Sequence, residues 1–225
     1  MWEGACPRWR WVSYQCIHCY SFIGGKSNRR TAPPTLFGGG LSRSAGLGRY
    51  VLMHQLILGG ARSGKSRLAE KLAGDSGLSV IYIATSQPLD GEMNQRVALH
   101  RERRPEHWGL IEEPVELARV LRENAAAGHC LLVDCLTLWL TNLLMLEDAE
   151  RLAFERDQLL QTLASLPGEI IFVSNETGLG VVPLGELTRR YVDEAGWLHQ
   201  ALAERCQRVV LTVAGLPLTL KGTAL

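Results

Sequence analysis

Along most of the chain, short continuous apolar runs alternate with longer segments in which apolar residues recur every three to four positions. A continuous run rich in β-branched residues is what a strand buried on both faces requires. Such runs fall at Leu56–Leu58, at SVIYIAT (Ser79–Thr85), at Cys130–Val133 leading into Asp134, at EIIFVSN (Glu169–Asn175) and at VVLTVAG (Val209–Gly215), which is expected to be the last strand. The helical period follows Ser66 in SRLAEKLAG, with Leu68, Ala69 and Leu72 on one face. It returns at Glu92–Arg103, Val115–Ala126, Thr137–Leu146, Ala149–Ser165 and Leu184–Arg205. Strands alternating with helices predict a three-layer α/β fold with a mostly parallel sheet. Ligands of such sheets bind at the carboxyl ends of the strands. Gly59–Ser66, Ala84-Thr85-Ser86, Asp134 and Asn175-Glu176 all follow strands and should converge there.

Residues 1–52 carry neither period. They hold three of the chain's six tryptophans, and seven of its 24 Lys+Arg against one of its 23 Asp+Glu. The opening is thus basic and the remainder acidic, although the whole chain has a formal charge of only +1. The simplest expectation is that Met53 opens the fold and that 1–52 form a disordered or mis-annotated extension, with 53–225 as a single catalytic domain. CIHC (Cys16–Cys19) has no second pair at zinc spacing. The near-neutral charge argues against a nucleic-acid partner. No stretch reaches the roughly 20 apolar residues of a membrane span. The six cysteines show no extracellular framework, so reduced thiols and a cytoplasmic location are expected.

GGARSGKS (Gly59, Gly60, Ala61, Arg62, Ser63, Gly64, Lys65, Ser66) fits G-x-x-x-x-G-K-[ST] between an apolar strand and a helix. Glycines let the backbone fold so that its N–H groups face phosphates, and the helix start adds its positive dipole end. Lys65 supplies a point charge for the outer phosphates, and Ser66 is a ligand for Mg²⁺. Asp134, ending an apolar strand, is the second expected metal contact, approaching from the neighbouring strand. Capping the following helix is compatible with that role.

In DGEMNQRVALHRERRPEHW (Asp90–Trp108), Arg96, His100 and Arg103 are spaced i, i+4, i+7 and share one helical face. Flanking guanidiniums disfavour imidazolium, so His100 is expected to stay neutral, with a free lone pair. That suits a general base, or a nucleophile that captures a nucleotidyl group. A solvated, charged face remains the alternative.

The motifs GGARSGKSRLAE, YIATSQPLDGEM, RVALHRERRPEHW, LLVDCLTLWLTNLL, VSNETGLGVVP and VAGLPLTLKG occur in this order. Together they resemble the bifunctional adenosylcobinamide kinase/adenosylcobinamide-phosphate guanylyltransferase family, over about Met53 to Gly222. The resemblance implies a P-loop fold similar to RecA. It implies phosphorylation of the hydroxyl on cobinamide's aminopropanol arm by ATP or GTP, then transfer of GMP from GTP to that phosphate through a GMP–histidine phosphoramidate. The acceptor histidine of the family's motif matches His100. The resemblance also implies guanine-nucleotide contacts at Ala84, Thr85 and Ser86, at Arg101, Glu102, Arg103 and Arg104, and at Glu112 and Asp134. It further implies a homo-oligomer, a trimer. Two departures stand out: Leu99 lies where some members have a second histidine, and Asp134 where Glu is common.

The expected machinery is therefore His100 and Lys65 as catalytic residues, with Mg²⁺ on Ser66 and Asp134. NETGLGVVP (Asn175–Pro183) reads either as a mobile loop or as a tight connection. Asn175 and Glu176 could orient the corrinoid arm or the nucleotide. A plain P-loop kinase, or a nucleotide-dependent binding switch, is the competing reading of the residues alone.

Overall fold

The protein is described by a computed structural model covering residues 53–87 and 105–225. The expected helix Glu92–Arg103, with His100 and Arg101–Arg104, and the whole of 1–52 lie outside the described residues.

Seven strands form one sheet: β1 (Met53–Gly59), β2 (Ser79–Ala84), β3 (Gly109–Glu112), β4 (His129–Asp134), β5 (Glu169–Asn175), β6 (Arg208–Val213) and β7 (Leu216–Lys221). Their order is β3-β2-β4-β5-β1-β6-β7. β1 to β6 are all parallel, and β7 alone runs antiparallel, against β6. Five helices are described: α1 (Lys65–Asp75), α2 (Leu117–Asn124), α3 (Leu136–Met145), α4 (Ala149–Thr162) and α5 (Glu186–Arg205).

The alternation of strand side chains builds two cores. Ile57, Tyr82, Leu132 and Ile171 face α1 through Ala69 and Ala73. Leu56, Leu58, Ile83, Val133 and Phe172 face the opposite way, onto the apolar stripes of α2 to α5. Both faces of the central strands are dry, which is why those strands read as unbroken apolar runs.

Two strands were not foreseen. β3 is four residues long, mostly exposed and at the sheet edge, so burial left no pattern in its sequence. VVLTVAG is not one strand ending at Gly215. Ala214 and Gly215, at φ 51° and 81°, form the two-residue turn of a hairpin, as tight β-hairpins require. The chain then returns as β7, whose Pro217 is tolerated on an edge strand.

The strand carrying Asp134 is not β1's neighbour, contrary to expectation. β5 lies between β1 and β4. α1 packs over β4 and β5 as well as β1, Ala69 and Ala73 lying among Cys130, Leu132 and Ile171 as well as Ile57.

Candidate functional site

Because β1 to β6 run parallel, Gly59, Ala84, Glu112, Asp134, Asn175 and Val213 all end at one edge of the sheet. The loop Gly60–Gly64 bridges from that edge to α1. Arg62 adopts φ 56° and Gly64 φ 96°. These conformations turn the chain back onto the helix, and the carbonyl of Gly60 accepts both the Ser63 N–H (3.2 Å) and the Lys65 ammonium (3.3 Å). Gly64 caps α1 without a side-chain hydrogen bond. The amides of Lys65, Ser66 and Arg67 precede the first intrahelical bond, from Leu68 N–H to Gly64 C=O (3.0 Å). This is an anion cradle: peptide donors and a helix dipole aimed at one point, with a lysine beside it.

Its shape depends on close backbone approach. A methyl at Gly59 would lie 2.4 Å from the Ser63 hydroxyl and 2.6 Å from the Thr212 carbonyl. From the other side the β6–β7 turn buttresses the loop, the Gly215 N–H donating to the Ser63 carbonyl at 2.8 Å. At Gly60, by contrast, a methyl would meet nothing within 4 Å.

The remaining candidates line up by strand position. With strands about 4.8 Å apart, Asn175 stands one strand from Gly59, Asp134 two, Ala84 three and Glu112 four. Glu112 is thus about 19 Å along the edge from Gly59. Burial pushes the Cys135 thiol up to about 11, with Asp134 adding to the rise and Lys65 opposing it.

Thr85 is fully buried. Its hydroxyl donates to the Cys135 carbonyl (2.6 Å) and accepts the Cys135 N–H (3.1 Å), and its own carbonyl accepts Asn142 Nδ2 (2.8 Å). Its side chain therefore ties the end of β2 to the end of β4. Ser86, half-buried, follows it at the edge.

Sequence reasoning missed a second layer behind β5. The Thr137 hydroxyl accepts the Asn175 N–H (2.8 Å). Tyr191 is half-buried beside Thr137, and loss of water around it pushes its phenol up to about 12. His199 is buried, its Nε2 2.8 Å from the Ser174 hydroxyl and its Nδ1 3.9 Å from a Glu176 carboxylate oxygen. Burial holds its pKa below 6.5, against the pull of Glu176. The signal was present: Tyr191 and His199 lie four residues either side of Ala195, on the same stripe as Leu198 and Leu202.

The fold and the cradle define a three-layer P-loop α/β protein built to hold the phosphates of a nucleotide. A family model described as cobinamide kinase / cobinamide phosphate guanyltransferase matches residues 55–220, and the chain belongs to that family. It is accordingly a bifunctional transferase, kinase and guanyltransferase. It is similar to the bifunctional adenosylcobalamin biosynthesis protein CobP of Pseudomonas aeruginosa, 70% identical over 173 residues, 77% of this chain and 100% of the relative. It is also similar to the corresponding CobU of Escherichia coli, 38% identical over 179 residues, 74% of this chain and 98% of the relative. Among solved structures, RadB recombinase superposes at 19% identity over 71% of this chain and 73% of that one (TM-score 0.43). The ATPase domain of G40P does so at 14% identity over 71% and 68% (TM-score 0.39).

Proposed function

We propose that both transfers use the one cradle, and that His100 carries GMP between them. In the kinase step the P-loop amides and Lys65 neutralise the γ-phosphoryl group of ATP or GTP while the hydroxyl of adenosylcobinamide attacks it. Such chemistry depends on positioning and charge. In the guanylyl step a ring nitrogen of His100 attacks the α-phosphorus of GTP. A P–N bond forms, the α–β bridging P–O bond breaks, and pyrophosphate leaves. The phosphate of adenosylcobinamide phosphate then attacks the same phosphorus and breaks the P–N bond, giving adenosylcobinamide-GDP.

The observation that carries this reading is the cradle, built at the edge from which Gln87 leads into the segment bearing His100. By resemblance, Ala84–Ser86, Arg101–Arg104 and Glu112 contact the guanine nucleotide. Ser66 and Asp134 offer only oxygen donors, a hydroxyl and a carboxylate, which suits Mg²⁺. Two donors do not cage an ion, and among the described residues no group of three His, Cys, Asp or Glu gathers as one. Mg²⁺ would therefore be shared with the nucleotide's phosphates, where it neutralises developing charge.

A homo-oligomer, a trimer by resemblance, is supported by apolar surface. Leu216, Leu218 and Leu220 on edge strand β7 are exposed, as are Leu179, Val181, Val182 and Leu184 after β5. Exposed apolar patches and open strand edges ask for cover. A cytoplasmic setting fits the described residues, among which no helix is long and apolar enough to cross a membrane.

The test is covalent capture. Incubation with α-labelled GTP is expected to leave one acid-labile GMP on the peptide containing His100, and none in His100→Asn, which should still phosphorylate cobinamide. Label persisting in the variant would overturn the assignment.

A further inference from the structure

The cradle, Lys65, Ser66 and Asp134 all act on the phosphate side of the kinase reaction. None of them is offered to the hydroxyl that attacks. Glu176 stands where such a group is needed. Its backbone N–H donates to the Gly59 carbonyl at 3.0 Å, which pins it beside the first residue of the P-loop. One carboxylate oxygen accepts the Gly178 N–H at 2.7 Å, and the other faces His199 Nδ1 at 3.9 Å. The side chain keeps 21% of its surface open, at the carboxyl edge of the sheet. Among the described residues it forms no ion pair with a lysine or arginine, so its lone pairs are not committed to a fixed cation.

Behind the carboxylate, His199 is fixed through its other nitrogen by the buried Ser174 hydroxyl at 2.8 Å. Burial keeps that imidazole neutral, and a neutral ring has a lone pair to receive a proton.

We propose that Glu176 is the catalytic base of the kinase step, with His199 as the positioning residue behind it that takes up the released proton. The substrate's hydroxyl oxygen bonds to the γ-phosphorus and the bond from that phosphorus to the β–γ bridging oxygen breaks, releasing the nucleoside diphosphate. The hydroxyl proton passes to the Glu176 carboxylate and then to Nδ1 of His199, whose Nε2–H donates to Ser174. GMP transfer needs no such base, because its acceptor is already an ionised phosphate. The two activities of the enzyme should therefore separate at this residue. The proposal rests on the family's kinase activity and not on His100, so a missing GMP adduct would leave it standing.

The experiment measures the half-reactions separately: phosphorylation of cobinamide by ATP, and GMP transfer from GTP to supplied cobinamide phosphate. In Glu176→Gln the kinase kcat should fall about 100-fold or more, with KM for ATP and the rate of GMP transfer each within about threefold. Glu176→Asp keeps the charge but withdraws the oxygen by one methylene. It should show the same selective loss, and it serves if the amide variant misfolds. His199→Gln should lower kinase kcat about tenfold without raising KM for ATP. Unchanged kinase activity in Glu176→Gln would overturn the proposal. So would equal loss of both half-reactions, which would make Glu176 a support of the P-loop. Recovery of kinase activity at raised Mg²⁺ would overturn it too, by making the carboxylate a metal holder.

Discussion

At Gly59 the last residue of β1 is wedged between the Ser63 hydroxyl and the Thr212 carbonyl. Only the hydroxyl could turn aside from an added methyl, since the carbonyl is backbone in the adjacent strand. Gly59→Ala is therefore expected to destabilise the protein by about 1–3 kcal/mol, lowering Tm by several degrees, and to weaken nucleotide binding at least tenfold by displacing the loop. Gly60→Ala is the contrasting case. With open space around that position, stability should stay within about 0.5 kcal/mol. Thermal melts with and without ATP check both variants, and an unchanged Gly59→Ala melt would refute the close-approach argument. The motif requires glycine at 59 and leaves 60 open, and the neighbours that explain the requirement, Ser63 and Thr212 of β6, are visible only in the fold.

At the scale of elements, the β6–β7 turn does two jobs. It reverses the chain through two residues at positive φ, and it supports the P-loop through the Gly215 N–H to Ser63 bond. Gly215 suits its place. Ala214, at φ 51°, carries the steric cost of a left-handed conformation, on the order of 1 kcal/mol. Asn-Gly is the favoured pair for such a turn. Ala214→Asn is thus predicted to stabilise by about 0.5–1 kcal/mol, raising Tm by roughly 2–4 °C and leaving nucleotide affinity unchanged. A lowered Tm would mean that the turn is held by something other than its own dihedrals. This hairpin was not legible as an element. The run VVLTVAG looked continuous because alanine and valine say nothing about φ, and β7 is too exposed to show a burial pattern. β1, β2, β4 and β5 were legible because burial on both faces leaves each a continuous apolar run, such as Leu56–Leu58 in β1.

For the whole molecule, the described fold begins at Met53, and the Pseudomonas aeruginosa relative is matched along its entire length by 173 residues of this chain. The protein lacking 1–52 is accordingly predicted to retain both half-reactions within about threefold and to keep the oligomeric state of the full chain, checked by activity assays and light scattering. Loss of either activity would assign the basic, Trp- and Cys-rich segment a role that the family's fold does not supply.

The sequence by itself determined the α/β class, the parallel core strands, the phosphate cradle and, through six ordered motifs, the family. These are local properties: a periodicity of burial, and a loop that must approach phosphate with its backbone. Only the tertiary structure decided the strand order, which put β5 between the cradle and Asp134. It alone showed that the Thr85 side chain ties the end of β2 to the end of β4, and gathered Ser174, Glu176, Tyr191 and His199 behind one strand end. The physical reason is distance along the chain. Ser174 and His199 are 25 residues apart, and only the packing of α5 onto the sheet brings their polar atoms within hydrogen-bonding range.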